Sequence, residues 1–129
     1  MTVAYIDTSC LVAVAFDEPG ASQVARRLDR YDRLLASNLL EAELRSSLVR
    51  EEVEERADAL LSWISWIYPN RPLSPEFRRI AGVGSVKGAD MWHLAHALFL
   101  APDGKGIDFL TLDRRQGDVA AALGFKVKM

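Results

Sequence analysis

The chain lacks a second cysteine. Cys10 stands alone, so no intramolecular disulfide can form, and the chain suits a reducing compartment. It also lacks a long apolar run. Leu11 to Phe16 is too short to span a bilayer and meets Asp17-Glu18. No basic segment opens the chain, and an acid already stands at Asp7, so a signal peptide is not expected. A soluble, cytoplasmic protein with no membrane contact is the expectation. Net positive charge is missing as well: 16 cations face 18 acids, for a formal charge of −2. That balance disfavours a protein that grips nucleic acid through a broad basic face. Soft metal ligands are scarce, with two His and one Cys, which disfavours a zinc cage. No internal repeat or low-complexity segment is visible.

What remains is enough for one ordinary domain. The chain has 129 residues, half of them hydrophobic, and can bury a conventional core without staples. A single domain over 1–129 is expected. Short apolar runs alternate with helical patterns. Val3 to Ile6 reads as a buried strand, followed by a helix from Thr8 or Ser9 to about Phe16. A helix spans about Ala21 to Asp29, then a strand Arg33 to Ser37. Leu40, Leu44 and Leu48 mark the core face of a helix from about Leu39 to Glu52. Another helix is expected from about Glu55 to Ile67, with a weak extended piece near Arg71 to Leu73. Helices from Ser74 to about Val83 and Ala89 to Leu100 follow. The end reads as a strand Ile107 to Leu112, a helix Arg115 to Leu123 closed by Gly124, and an edge strand Phe125 to Lys128. This alternation predicts an α/β fold, three layers deep, around a short parallel sheet of four to five strands.

In such sheets the functional crevice lies beyond the carboxyl ends of the strands. Two strands run into an acid there, Ile6-Asp7 and Leu112-Asp113. Glu43 and Asp90 sit near the starts of apolar helices that face the same rim. Each acid alone also reads as a helix cap or first-turn residue. Together, four carboxylates on one rim repel one another unless a cation is present. Mg²⁺ or Mn²⁺ suits carboxylate oxygens, and metal-assisted phosphodiester hydrolysis is the chemistry that follows. Glu41, Asp108 and Asp118 are weaker candidates on position.

The stretches Tyr5-Ile6-Asp7-Thr8-Ser9, Ser37 to Leu44, Gly88 to Ala95, and Phe109 to Asp113 with Leu123-Gly124 resemble the PIN domain. Within it they resemble the small VapC-type toxin ribonucleases of toxin–antitoxin pairs. The resemblance implies a PIN-like fold and a Mg²⁺- or Mn²⁺-dependent endoribonuclease. It places Asp7, Glu43, Asp90 and Asp113 as catalytic and metal-binding acids, and Ser9 and Thr111 as supporting hydroxyls. It also implies an RNA substrate, a small VapB-like antitoxin partner and a homodimer. Arg50 to Val86 carries no matching motif.

Other features have two readings each. Arg114 and Arg115 follow Asp113 and contact RNA phosphates or are plain surface residues. Asp90, His93 and His96 form Asp-x-x-His-x-x-His, a transition-metal pattern if all three share a face; His93 otherwise reads as a polar group near the site and His96 as a packed or surface one. Trp63 and Trp66 pack in the core or line a groove for an antitoxin helix. Cys10 reads as a small buried hydrophobe. Two rival functions use the same acids differently: a phosphoryl-receiver signalling domain, or a non-catalytic PIN-like binding module.

Overall fold

The computed structural model describes residues 1–128. Five strands form one wholly parallel sheet: β1 (Val3–Ile6), β2 (Arg33–Ser37), β3 (Ile64–Ile67), β4 (Asp108–Leu110) and β5 (Lys126–Lys128). Their spatial order is β3-β2-β1-β4-β5. Seven α-helices connect them: α1 (Thr8–Ala15), α2 (Ala21–Asp29), α3 (Leu39–Arg50), α4 (Ala57–Leu61), α5 (Ser74–Ala81), α6 (Gly88–Leu100) and α7 (Arg114–Ala122). Three layers result, because strand side chains alternate between two faces. Ala4, Ile6, Leu34, Ala36, Ile64 and Leu110 face a core closed by α1 to α4. Tyr5, Ile67 and Phe109 face a second core closed by α5 to α7.

The α3 stripe behaves as its spacing demands. Leu40, Leu44 and Leu48 are wholly buried, each contributing about 1.5–3 kcal/mol of apolar burial. The expected helix from Glu55 to Ile67 is a correction. Only Ala57–Leu61 is α-helical, after a single 3-10 turn at Glu54–Arg56, and the chain then enters β3. The cluster Leu60, Leu61, Trp63, Ile64, Trp66, Ile67 satisfies a helical or a strand period about equally. Ile64 and Ile67 point into different cores, which only a strand achieves. The expected extended piece near Leu73 is no strand; Leu73 is buried at the entry to α5.

The sheet order also decides a functional question. A receiver domain has the order 2-1-3-4-5. Here β1 lies between β2 and β4, so the chain winds one way from β1 and later returns across it. The switch point is the β1–β4 junction, where Ile6 pairs with Leu110. No helix among the described residues is long and apolar enough to cross a membrane.

Two glycines lock the α6–β4 connection against the α7–β5 turn. Gly104 (φ +76°) and Gly124 (φ +107°) are left-handed, and a Cβ on Gly104 would meet the Gly124 carbonyl carbon at 2.5 Å. That atom is backbone and cannot turn aside. Gly104→Ala is therefore expected to cost about 2 kcal/mol. Denaturant unfolding measures this, and a variant as stable as the parent would refute the close approach.

Candidate active site

Asp7 leaves β1 at the switch point and caps α1. Its Oδ1 accepts from Ser9 N at 3.1 Å and from Ser9 Oγ at 2.6 Å. Its Oδ2 accepts from Thr111 Oγ1 at 2.9 Å. The capping reading is thus true of Asp7, and the same bonds fix its carboxylate beyond the end of β1. Burial pushes the Asp7 carboxyl above the ordinary aspartate range, the Ser9 and Thr111 hydroxyls pull it back, and the Asp90 charge pushes it up further. Asp113 likewise caps α7, accepting from Gln116 N at 2.9 Å, while its own N–H donates to Thr111 Oγ1 at 3.0 Å. Asp113 does not leave β4 directly: the strand ends at Leu110, and Thr111 and Leu112 carry the chain to it. Ser9 Oγ accepts from Leu112 N at 3.0 Å, so the two supporting hydroxyls tie both strand exits together.

Asp90 stands in the first turn of α6 and is half-buried. Its carboxylate accepts no hydrogen bond among the described residues. Burial raises its pKa, and the Asp113 and Glu43 charges raise it further. Glu43, on α3, is held from below. Its Oε1 accepts from Thr8 Oγ1 at 2.6 Å and lies 2.9 Å from His93 Nε2. The His93 bond holds the Glu43 carboxyl below its ordinary range against the opposing effect of burial.

Behind Glu43 runs a buried relay that the motif reading did not contain. Ser37 N donates to the Tyr5 hydroxyl at 3.1 Å, and that hydroxyl lies 2.7 Å from His93 Nδ1. The hydroxyl is buried and has one proton, for which Nδ1 is the acceptor in reach among the described residues, so it donates there. This assigns the remaining proton of a neutral His93 to Nε2, which donates to Glu43. Tyr5 and His93 are both fully enclosed. The signals for this were thin: Tyr5 alternates with its neighbours on β1, and His93 follows Asp90 by one helical turn. The side-chain amide of Gln116, also wholly buried, lies 2.9 Å from Thr111 Oγ1, whose single proton goes to Asp7.

The transition-metal pattern is not built. His96 is buried and turned to Trp92, whose carbonyl lies 2.8 Å from Nδ1, and burial lowers its pKa. Arg114 and Arg115 lie in the first turn of α7, exposed. Arg115 Nε donates to the Ser85 carbonyl at 2.8 Å and straps the 82–87 loop. Trp66 packs at the margin of the first core, Trp63 is exposed beside α2, and Cys10 is wholly buried.

The donor set fits a hard, hydrated cation. No three His, Cys, Asp or Glu side chains among the described residues enclose an ion by themselves. Mg²⁺ needs no such cage: it keeps several waters and is held by one or two carboxylates. Asp90, half-buried, facing the Asp113 and Glu43 charges and without a hydrogen-bond donor among the described residues, is the group whose charged form a cation would help most.

Fold and rim define the class: a doubly wound α/β domain with Asp7, Glu43 and Asp113 each within electrostatic reach of Asp90 beyond its strand ends. The chain belongs to the PIN-domain family, whose model matches residues 4–122. PIN domains are nucleases as a family, and divalent ions serve them generally. The fold is similar to the structure of VapBC-1 from nontypeable Haemophilus influenzae, with a TM-score of 0.73, 18% identity, and coverage of 98% of this chain and 97% of that one. It is also similar to VapBC2 from Rickettsia felis bound to a DNA fragment from their promoter, with a TM-score of 0.67, 12% identity, and 98% of each chain covered. No curated protein matches the chain by sequence.

Proposed function

We propose that the chain is a VapC-type toxin: a Mg²⁺- or Mn²⁺-dependent endoribonuclease, controlled by a VapB-like antitoxin. The observation that carries the reading is the unpartnered Asp90 carboxylate, set against Asp113 and Glu43 at the switch point of a PIN fold. Asp7, Glu43, Asp90 and Asp113 are the residues that would hold the ion. When bound, the ion supplies polarisation of the phosphoryl group and compensation of charge.

The chain's own residues supply the geometry. Ser9 and Thr111 fix both oxygens of Asp7, so its orientation costs no reorganisation during reaction. Asp113 is fixed by its capping bond, and Glu43 by Thr8 and His93. Of these four acids, Asp90 is the one that accepts no hydrogen bond among the described residues, which leaves it to turn toward a ligand. The neighbouring VapBC folds support a VapB-like partner, and the Trp63 face beside α2 is where an apolar antitoxin helix would find contact. A homodimer and a cytoplasmic location belong to the same reading.

The test is cleavage of single-stranded and hairpin RNA with Mg²⁺, with Mn²⁺, and with a chelator. Fragments are expected with either ion and none with chelator. Intact RNA under all three conditions would remove the enzyme reading and leave a binding module. Mg²⁺ should also raise the melting temperature. At tenfold excess over its Kd it contributes about 1.4 kcal/mol, or roughly 4 °C for a domain of this size.

A further inference from the structure

Beside the acids lies a cationic hollow that no motif announces. On α2, Gln23, Arg27 and Arg30 follow one another at i, i+4 and i+7, with Arg26 alongside. They line an open hollow of about 520 Å³ that also takes in Leu112. Leu112, at one edge of the hollow, is the residue before Asp113 in the chain. No carboxylate lines it among the described residues. Arg26, Arg27 and Arg30 form no ion pair among those residues, whereas Arg45 and Arg71 elsewhere are paired with acids. Arg27 and Arg30, with Arg26 shared with a neighbouring hollow that also holds Asp29 and Asp32, raise the local positive potential and draw an anion.

We propose that this hollow receives the phosphodiester backbone of a single-stranded RNA and leads it to the acid rim. Planar guanidinium forks match phosphate oxygens bidentately, and Arg27 and Arg30 are stacked about one helical turn, or ~5 Å, apart. A continuous phosphate strand suits both halves of the surface: its phosphates pair with arginines along α2 and with an ion-loaded acid cluster past Leu112. An acidic peptide suits only the first half. The direction of travel rests on the nuclease reading; the binding itself does not.

The test is fluorescence anisotropy with a short labelled oligouridylate in chelator, across a salt series. Arg27→Ala/Arg30→Ala is expected to weaken binding about tenfold and to lower the log–log salt slope by about 1.4, at roughly 0.7 per phosphate contact. The comparison is Arg78→Ala/Lys105→Ala, which removes equal charge on α5, across the sheet from α2, and in the turn after α6. That pair is expected to keep the parent slope. Equal slopes in the two variants, no binding by the parent chain, or equal displacement by polyglutamate would each overturn the proposal. A slope difference without any Mg²⁺-dependent cleavage would uphold the hollow and remove the nuclease reading. Cleavage with equal slopes would do the reverse.

Discussion

Asp90→Asn is expected to melt at a higher temperature than the parent chain at neutral pH in chelator, and to cleave RNA about a hundredfold more slowly or worse. The two effects have one cause. Asparagine keeps the shape of the side chain and removes only the charge. No hydrogen bond is lost, because the carboxylate accepts none among the described residues. What disappears is burial of a charge facing Asp113 and Glu43. The sign follows from linkage. A carboxyl whose folded pKa is raised favours folding most below its ordinary value of 3.8, and that benefit is lost as pH rises through the folded pKa. The gap between variant and parent should therefore be small near the bottom of the ordinary carboxyl range, about pH 3, and open toward neutrality. Mg²⁺ should close it by stabilising the parent alone. A variant that melts no higher and cleaves at the parent rate would remove Asp90 from the ion site. Asp7→Asn should lose cleavage too, but at a stability cost of about 1–2 kcal/mol, since its oxygens accept from Ser9 and Thr111.

The net charge of −2 looked like an argument against nucleic acid. Four of the acids, however, are gathered at one rim, and the remaining 14 are outnumbered by 16 cations. Three of those cations share one hollow on α2. Composition sums over the surface, whereas binding depends on where the charges sit.

Legibility varied with how local the signal was. Strands β1 and β2 and helices α2, α3 and α6 were readable because one period dominates each of them. The shared end of the acids was readable, because parallel winding sends strand ends and helix starts to one rim; their role as ion ligands is proposed. Strand β3 was not, because Leu60 to Ile67 is apolar at nearly every position and leaves no period to count. The capping role of Asp7 was legible only as an alternative to a site role, whereas the cap and the Thr111 hydroxyl occupy different oxygens of one carboxylate. Arg114 and Arg115 drew notice by adjacency to Asp113. The arginines of α2 stand some eighty residues earlier in the chain, and only the fold brings them beside Leu112.

The same holds for the relay behind Glu43, and it sets the last expectation. His93→Ala is expected to cost about 3–5 kcal/mol, from the cavity plus two stranded partners, and to lower the melting point by 10 °C or more. Glu43 would lose the donor that holds it low, and the Tyr5 hydroxyl would lose its acceptor. His93→Gln separates these losses, since an amide N–H can still donate to Glu43 but leaves Tyr5 without its ring nitrogen. Tyr5→Phe acts from the other end, orphaning the Ser37 N–H and costing about 1–3 kcal/mol. Because the bonds form one chain, Tyr5→Phe and His93→Gln should not add: the double variant should be less damaged than the two single losses combined. A pH readout separates the relay from mere packing. Glu43 stabilises the fold above its ordinary value of 4.5, and that contribution is lost as pH falls through its lowered folded pKa. Without His93 the folded value rises, so acid unfolding should begin at a higher pH. An acid limb unchanged in His93→Ala would mean that the histidine fills space and does not hold the glutamate.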